Sequence, residues 1–346
     1  MGHVMRSAVL AAHLQDQGHQ VTFVSHDGGL RYLQKHARRW PTIGIVGMGS
    51  KITNNVVSPL GTFISNACKL AAGAQHNMLA NMSFVTQFPD VVITDFEPAT
   101  ARYAMFMGKP LIAVDNIHFL NHCQHRPEMI QSRDYSAASF MYTICENLIP
   151  FAHRYLITTF AAAPLLRSTT SLHLPILRAE ILAAKETAAT GEHIVAYFND
   201  KADHASLASM LQTVNVPVLL YGKSTQKKRQ TDGNITFCPF SDADFIRDVA
   251  AARGVIGGSG FTFMTEAIFL GKPMLAVPYG MQFEQILNAN YLSALGYGER
   301  CDRLTLLALQ SFMKNVPRYA DKLREFRHDG NHDLFDSVDR ALREVA

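Results

Sequence analysis

Two periodicities alternate along the chain. From Val4 to Gln17 the apolar positions Met5, Ala8, Val9 and Ala12 recur at helical spacing, and Gly18 stands where a helix C-cap belongs. Residues 21–24 form a short β-rich run, Asp27-Gly28-Gly29 makes a turn, and helical spacing resumes over residues 30–36. The alternation returns with residues 90–95 as a buried strand, 99–107 as a helix and 110–115 as a strand. Such a pattern predicts a parallel sheet with helices on both faces. Between residues 161 and 192 it breaks into prolines, serines, threonines and a short alanine-rich helix, which reads as a link between domains. A second series then predicts strands at 193–198, 216–221, 235–237, 255–256 and 275–278, with helices over 202–213 and 245–253.

At 346 residues the chain is long enough for two such domains, each with its own core. The predicted division is 1–160, a linker at 161–192, 193–317, and a helical segment at 318–346 that crosses back to the first domain. Apolar residues at 48% and charged residues at 18% describe a globular protein rather than a disordered or fibrous one. The net charge of +3 is small and dispersed, and the basic run Lys227-Lys228-Arg229 sits beside a turn, so no nucleic-acid partner is expected. Five scattered cysteines without paired spacing suit free thiols in a reducing compartment. The apolar run over residues 155–166 is too short to cross a bilayer, and no signal peptide is expected, which together predict a cytoplasmic protein that can still touch a membrane face.

A doubly wound domain begins with a central strand running into a glycine turn and a helix, yet this chain opens inside that turn. The expectation is an apolar strand of about ten residues encoded upstream of Met1. Its alternative is a diverged protein whose sheet has lost a central member.

The most informative stretch runs from Val255 to Pro278. A strand enters Gly257-Gly258-Ser259-Gly260 and then a helix near Thr262, so backbone N–H groups and the positive helix end converge outside the sheet, as a diphosphate requires. Glu266, one turn on, can reach ribose hydroxyls. Glu284 and Gln285, beyond Pro278, pair an acceptor with an amide beside the same crevice, which suits vicinal sugar hydroxyls.

Taken together, Gly257-Gly258-Ser259-Gly260, Thr265-Glu266-Ala267, Gly271-Lys272-Pro273, Val277-Pro278 and Glu284-Gln285 followed by Asn288-Ala289 resemble the C-terminal domain of GT-B glycosyltransferases. The likeness extends to the peptidoglycan N-acetylglucosaminyltransferase group and to a little-characterised bacterial and archaeal set of transferases. Gly2-His3-Val4-Met5-Arg6-Ser7, Asp95-Phe96-Glu97-Pro98, Asp115-Asn116 with His118-Phe119, and Pro175-Ile176-Leu177-Arg178 are similar to segments of that set.

The resemblance implies an α/β fold of the GT-B type, two Rossmann-like doubly wound domains facing across a cleft, with the first strand of the N-terminal domain missing. It implies a UDP-sugar donor, an acceptor that is a saccharide or lipid-linked, peripheral membrane contact, and metal-independent, inverting transfer without a cofactor. His3 would face the donor phosphates or the acceptor hydroxyl. Arg178 would pair with a phosphate, Phe240 and Ser241 would hold the uracil edge, Gly258, Ser259, Gly260 and Phe261 the diphosphate, Glu266 the ribose, and Glu284 and Gln285 the sugar. The base that takes the acceptor proton would be His3 or one of Asp95, Glu97, Asp115 and His118, with Asp95 also a candidate cap for the helix after Pro98. Replacing Arg178 or Glu266 is expected to weaken UDP binding with folding nearly unaffected.

His118, His122 and His125 with Cys123 carry some zinc-like spacing but no second paired group, and no metal is expected. Acceptor contacts are expected from the loops at 47–59 and 117–129. A non-hydrolysing UDP-sugar 2-epimerase and a nucleotide-sugar binding protein without catalysis share the same donor chemistry and stay open at this point.

Overall fold

The structure, a computed structural model, describes residues 2–49, 52–53, 56–77, 80, 89–199, 202–223 and 225–345. Residues 50, 51, 54 and 55 of the expected acceptor loop at 47–59 lie outside them. Helix α1 (Gly2–Asp16) leads to β1 (Phe23–Ser25), α2 (Asp27–His36), β2 (Thr42–Gly44), β3 (Ile52–Thr53), β4 (Val56–Val57) and α3 (Pro59–Ala72). There follow β5 (Val92–Thr94), α4 (Pro98–Phe106), β6 (Leu111–Asp115), α5 (Phe119–His122), α6 (Tyr135–Leu148), β7 (Arg154–Thr158) and β8 (Thr170–His173). The second series is α7 (Ala179–Ala184), β9 (Ile194–Tyr197), α8 (His204–Leu211), β10 (Val218–Tyr221), β11 (Gln230–Asp232), β12 (Ile235–Phe237), α9 (Asp242–Ala250), β13 (Gly254–Gly257), α10 (Phe261–Phe269), β14 (Met274–Ala276), α11 (Phe283–Ala294), β15 (Gly298–Arg300) and α12 (Leu306–Leu323). Helix α13 (His332–Val345) comes last.

The chain divides into two compact units, one of residues 1–53, 57–176 and 329–346, the other of residues 54–56 and 177–328. In the first unit β5-β6-β7-β8 form one parallel sheet and β1-β2 a second, parallel pair. Helix α1 packs on both. Its Leu10 and Leu14 join Ile112, Val114 and Leu156 of the larger sheet, while Val4, Met5 and Ala11 join Leu33 and Trp40 beside β1 and β2. The helix ends as its sequence predicts, with Gly18 at φ +89° and the His19 N–H donating to the Leu14 carbonyl. In a doubly wound sheet the strand preceding such a helix lies between the neighbours that β1 and β5 represent. No described strand occupies that position.

Helix α13 closes the core of this unit. Leu334, Val338 and Ala341 are buried against the cluster of Leu10, Ile112 and Leu156, and three polar pairs fix the helix along its length. His173 meets Asp333 at 2.6 Å, His13 meets Asp339 at 2.9 Å and Arg154 meets Glu344 at 2.8 Å. Helix α12, by contrast, contributes Leu309, Phe312, Val316 and Tyr319 to the core of the second unit.

That second unit holds a seven-stranded sheet in the order β11-β12-β10-β9-β13-β14-β15, with β11 the antiparallel member. The strand order reverses between β9 and β13. In an open α/β sheet such a reversal is where ligands settle, outside the carboxyl ends of the strands.

The segment read as a linker needs correction. Thr170–His173 is the edge strand β8, paired in register with β7, and the division between the units falls after Ile176. Its threonines and serine suggested a loop, but they occupy a short strand. The apolar run beginning at Tyr155 likewise contains most of β7, whose four residues from Tyr155 to Thr158 are all buried, as an uninterrupted apolar run allows.

The packing of α13 makes a direct prediction. Leu334→Ala removes a side chain only 2% exposed and is expected to cost about 2–5 kcal/mol. Asp336→Ala, on the exposed face of the same helix, is expected to stay within roughly 0.5 kcal/mol. Urea unfolding of the two variants reads the difference, and equal costs would mean that α13 does not belong to the core.

Candidate functional site

In the second unit the site grows from the end of β13. A Cβ on Gly257 would stand 2.4 Å from the Tyr197 carbonyl oxygen, so only glycine lets β13 run this close to β9. The next two glycines serve space instead. A Cβ at Gly260 would meet nothing within 4 Å, and one at Gly258 only the Tyr279 ring and the Gln285 Oε1 at 3.8 and 3.9 Å. The loop is therefore bare on the face that looks away from the sheet. Between these glycines Ser259 is fully buried and its Oγ has no hydrogen-bond partner, while its carbonyl accepts from Asn288 Nδ2 at 3.3 Å. Helix α10 starts directly after, with Gly260 as an N-cap that brings no side-chain acceptor and with no acid in the first turn. A helix start of this kind attracts an anion.

Glu266 lies further along α10, 5% exposed, and accepts from Arg178 Nε at 2.9 Å. Arg178 precedes α7 and also stands 4.0 Å from Asp242 of α9. Burial pushes the Glu266 carboxyl above its ordinary value and Arg178 pulls it part of the way back. The Arg178 guanidinium, whose burial opposes its charge, is held protonated by Glu266 and Asp242. Phe240, half exposed, lies beside Tyr197 and Phe245, and Tyr197 also meets Phe263 of α10 at a centroid distance of 5.5 Å. Ser241 caps α9 through its hydroxyl, which accepts from the Asp244 N–H.

Glu284 opens α11 and the buried Gln285 follows it. The Gln285 Oε1 accepts from the Tyr279 N–H at 3.2 Å, so the amide braces the loop after β14, and the same oxygen would stand 3.9 Å from a Cβ on Gly258.

In the first unit the structure brings His3 and Asp95 together. His3 Nδ1 is 2.8 Å from Asp95 Oδ1, and Arg6 Nη2 reaches the two Asp95 oxygens at 2.9 and 3.1 Å. Burial alone would raise the Asp95 carboxyl, but Arg6 and then His3 outweigh it and hold it below its ordinary value. His3 stays half exposed. Arg6 belongs to the N-terminal motif Gly2-His3-Val4-Met5-Arg6-Ser7, but the sequence assigned it no role. Its position on the inward stripe of α1, three residues after His3, was the available signal.

Three of the expected proton acceptors are committed elsewhere. Glu97, rather than Asp95, caps α4, accepting from the Ala99 and Thr100 N–H groups at 3.0 and 2.7 Å. Asp115 accepts from the N–H groups of Ile117 and His118 and from His118 Nδ1 at 2.7 Å, and both side chains are 1% exposed. The pair is buried, with the His118 Nε2 left without a hydrogen-bond partner. Of the other histidines in 118–125, His122 meets the His118 ring edge-on at a centroid distance of 5.1 Å and pairs through Nδ1 with the Thr170 hydroxyl, while His125 Nε2 pairs with the Phe119 and Leu120 carbonyls.

A doubly wound unit carrying a bare glycine loop at its switch point, and a second parallel α/β unit, define a GT-B fold. Solved structures agree. Acinetobacter baumannii MurG superposes with a TM-score of 0.58 at 17% identity, covering 98% of this chain and 96% of its own. Phytolacca americana UGT2, solved with UDP-2-fluoro-glucose and pterostilbene, gives 0.67 at 14% identity, with 99% and 96% covered. The model of glycosyl transferase family 1 matches residues 1–317, and the chain belongs to that family. Among curated relatives, a Bacillus cereus UDP-N-acetylglucosamine–N-acetylmuramyl-(pentapeptide) pyrophosphoryl-undecaprenol N-acetylglucosamine transferase is 28% identical over 104 residues. That match spans 27% of this chain and 29% of the relative.

The ion pair revises one expectation from sequence. Arg178→Met leaves Glu266 buried without its partner and is expected to destabilise the protein by about 3–5 kcal/mol. Adding Glu266→Gln is expected to recover part of that loss. Urea titrations of the two single variants and the double variant form the cycle, and strictly additive effects would show that the pair is not coupled.

Proposed function

We propose that this chain is a glycosyltransferase and moves a sugar from a UDP-sugar to an acceptor hydroxyl without a bound metal, with His3 as the base. The observation that carries the reading is the His3–Asp95 pair, a half-exposed imidazole held through Nδ1 by a buried carboxylate. A ring held this way turns Nε2 outward as a proton acceptor. Nε2 takes the hydroxyl proton as the acceptor oxygen bonds to the anomeric carbon, and the bond from that carbon to the diphosphate oxygen breaks with its electron pair leaving on UDP. Attack opposite the leaving group inverts the anomeric carbon.

The donor side of the reading rests on the second unit. The bare loop at Gly258 and Gly260 and the start of α10 receive the diphosphate, and the unpartnered Ser259 hydroxyl supplies one more polar group there. Phe240 and the backbone of Ser241 hold the uracil, and Glu266 the ribose. Arg178, shared between Glu266 and Asp242, adds positive charge where the leaving group gathers negative charge. Glu284 and the amide nitrogen of Gln285 meet the sugar hydroxyls. The name of the Bacillus cereus relative makes UDP-N-acetylglucosamine the first donor to try and a lipid-linked saccharide the acceptor class. Contact with a membrane surface would then come from the acceptor. No helix among the described residues is long and apolar enough to cross a bilayer.

His3→Gln is expected to lower kcat by about 10²-fold or more while leaving UDP affinity by calorimetry at the wild-type value. UDP release from UDP-N-acetylglucosamine and UDP-glucose, with water as acceptor, provides the assay when no acceptor is known. Unchanged turnover in His3→Gln would remove His3 as the base. Sugar epimerisation without UDP release would replace transfer by isomerisation.

The sugar contact has its own test. Gln285→Ala is expected to reduce kcat/KM for the UDP-sugar by roughly tenfold or more and to spare UDP binding. Loss of UDP itself would place this residue at the nucleotide.

A further inference from the structure

Arg6 is an unusual residue for its place. A long cationic side chain on the inward stripe of a helix ordinarily runs its head out to water. Here the Arg6 side chain is only 4% exposed, and its Nη2 is directed at a carboxylate 89 residues away in sequence. The same nitrogen stands 3.1 Å from His3 Nδ1. Arg6 and His3 are three residues apart on α1, so one helix turn fixes both against Asp95 at the end of β5.

Counting hydrogens favours one form of the imidazole. A guanidinium only donates, and a carboxylate only accepts. If Nδ1 carried a lone pair, that lone pair would face the Asp95 oxygen at 2.8 Å. If Nδ1 carries the hydrogen, the contact is a charge-assisted hydrogen bond, and Arg6 spends its own hydrogens on the two Asp95 oxygens. The second arrangement is the stable one, and it leaves the lone pair on Nε2.

Charge then decides whether that lone pair stays available. Asp95, from the end of β5, and Arg6, from α1 itself, are charged groups in contact with the His3 ring. Ser7 contributes a neutral contact, its hydroxyl donating to the His3 carbonyl. Asp95 alone would draw a second proton onto the imidazole and occupy the base. Arg6 opposes that proton from 3.1 Å.

We propose that Arg6 is the positioning residue of the pair: it anchors Asp95 and offsets its charge, so that His3 keeps its hydrogen on Nδ1 and its lone pair on Nε2. This rests on the reading of His3 as the base. Arg6 itself touches no substrate in this role.

The test is nitrogen NMR of the histidine-labelled full chain, with the His3 signals assigned by their loss in His3→Gln. In the wild type the hydrogen is expected on Nδ1. Arg6→Met is expected to raise the titration midpoint of His3 by roughly 1–2 pH units, the size of a nearby charge effect. Arg6→Lys, which keeps the charge, should stay close to the wild type, and Asp95→Asn should move the midpoint the other way. The acidic limb of UDP-N-acetylglucosamine hydrolysis is expected to follow each shift, which a merely structural arginine would not produce.

An unmoved midpoint in Arg6→Met overturns the proposal. Should that variant fail to fold, the wild-type tautomer still decides, since a hydrogen on Nε2 is incompatible with it. If the midpoint moves and the acidic limb does not, the role of Arg6 toward His3 stands and the assignment of His3 as base fails.

Discussion

A carboxylate removed from water must have its charge met, and that constraint organises both units. Asp95 and Glu266 are each mostly buried, and each is met by one arginine, Arg6 at 2.9 Å and Arg178 at 2.9 Å. The backbone around them follows. Helix α1 must lie with its first turn over the end of β5 for Arg6 to reach Asp95. The approach to α7 must bring Arg178 against α10 for Glu266 to be tolerated. Apolar packing sets α1 against the sheet through Leu10 and Leu14, and the pair with Asp95 adds a polar contact at its first turns.

The second constraint is backbone proximity at a parallel switch point. Because Gly257 lets β13 approach the Tyr197 carbonyl, the following loop leaves the sheet close to the end of β9, where the ring of Tyr197 already stands. The aromatic group of Tyr197, Phe240, Phe245 and Phe263 thus borders the helix start, which is the arrangement that the proposed uracil and diphosphate contacts would use. Here the fold supplies geometry that the individual side chains only decorate.

Much of this was legible in the sequence where the signal is local. The glycine loop, the strand before it and the carboxylate of Glu266 form one contiguous motif, and its reading as strand, turn and helix matches β13 and α10 within a residue or two. What was not legible is pairwise and distant. No periodicity links Arg6 to Asp95, or Arg178 to Glu266 across 88 residues. Within Asp95-Phe96-Glu97-Pro98 the two carboxylates look interchangeable, yet the backbone assigns them opposite tasks. Phe96 takes φ +56°, and Glu97 is the residue left extended at the helix start, so Glu97 caps and Asp95 turns toward α1. The strand β8 was hidden for a related reason: Thr170 and Ser171 belong to a hydroxyl-rich edge strand, which by composition resembles a loop.

The two buried carboxylates are not equally compensated, and the difference suits their proposed tasks. Asp95 is held below its ordinary value, because Arg6 and His3 together outweigh burial. Its ionised form therefore adds stability above the unfolded value of 3.8, and that contribution is lost as pH falls through the lower folded value. Glu266 runs the other way: burial wins over Arg178, and its folded value lies above 4.5. Its protonated form is the one folding favours, so its contribution is present below the unfolded value and lost as pH rises through the folded one. A fully compensated carboxylate is suited to orient a neighbour without changing partners. An under-compensated one gains from any hydroxyl that donates to it, which is the condition for a residue that waits for a ribose.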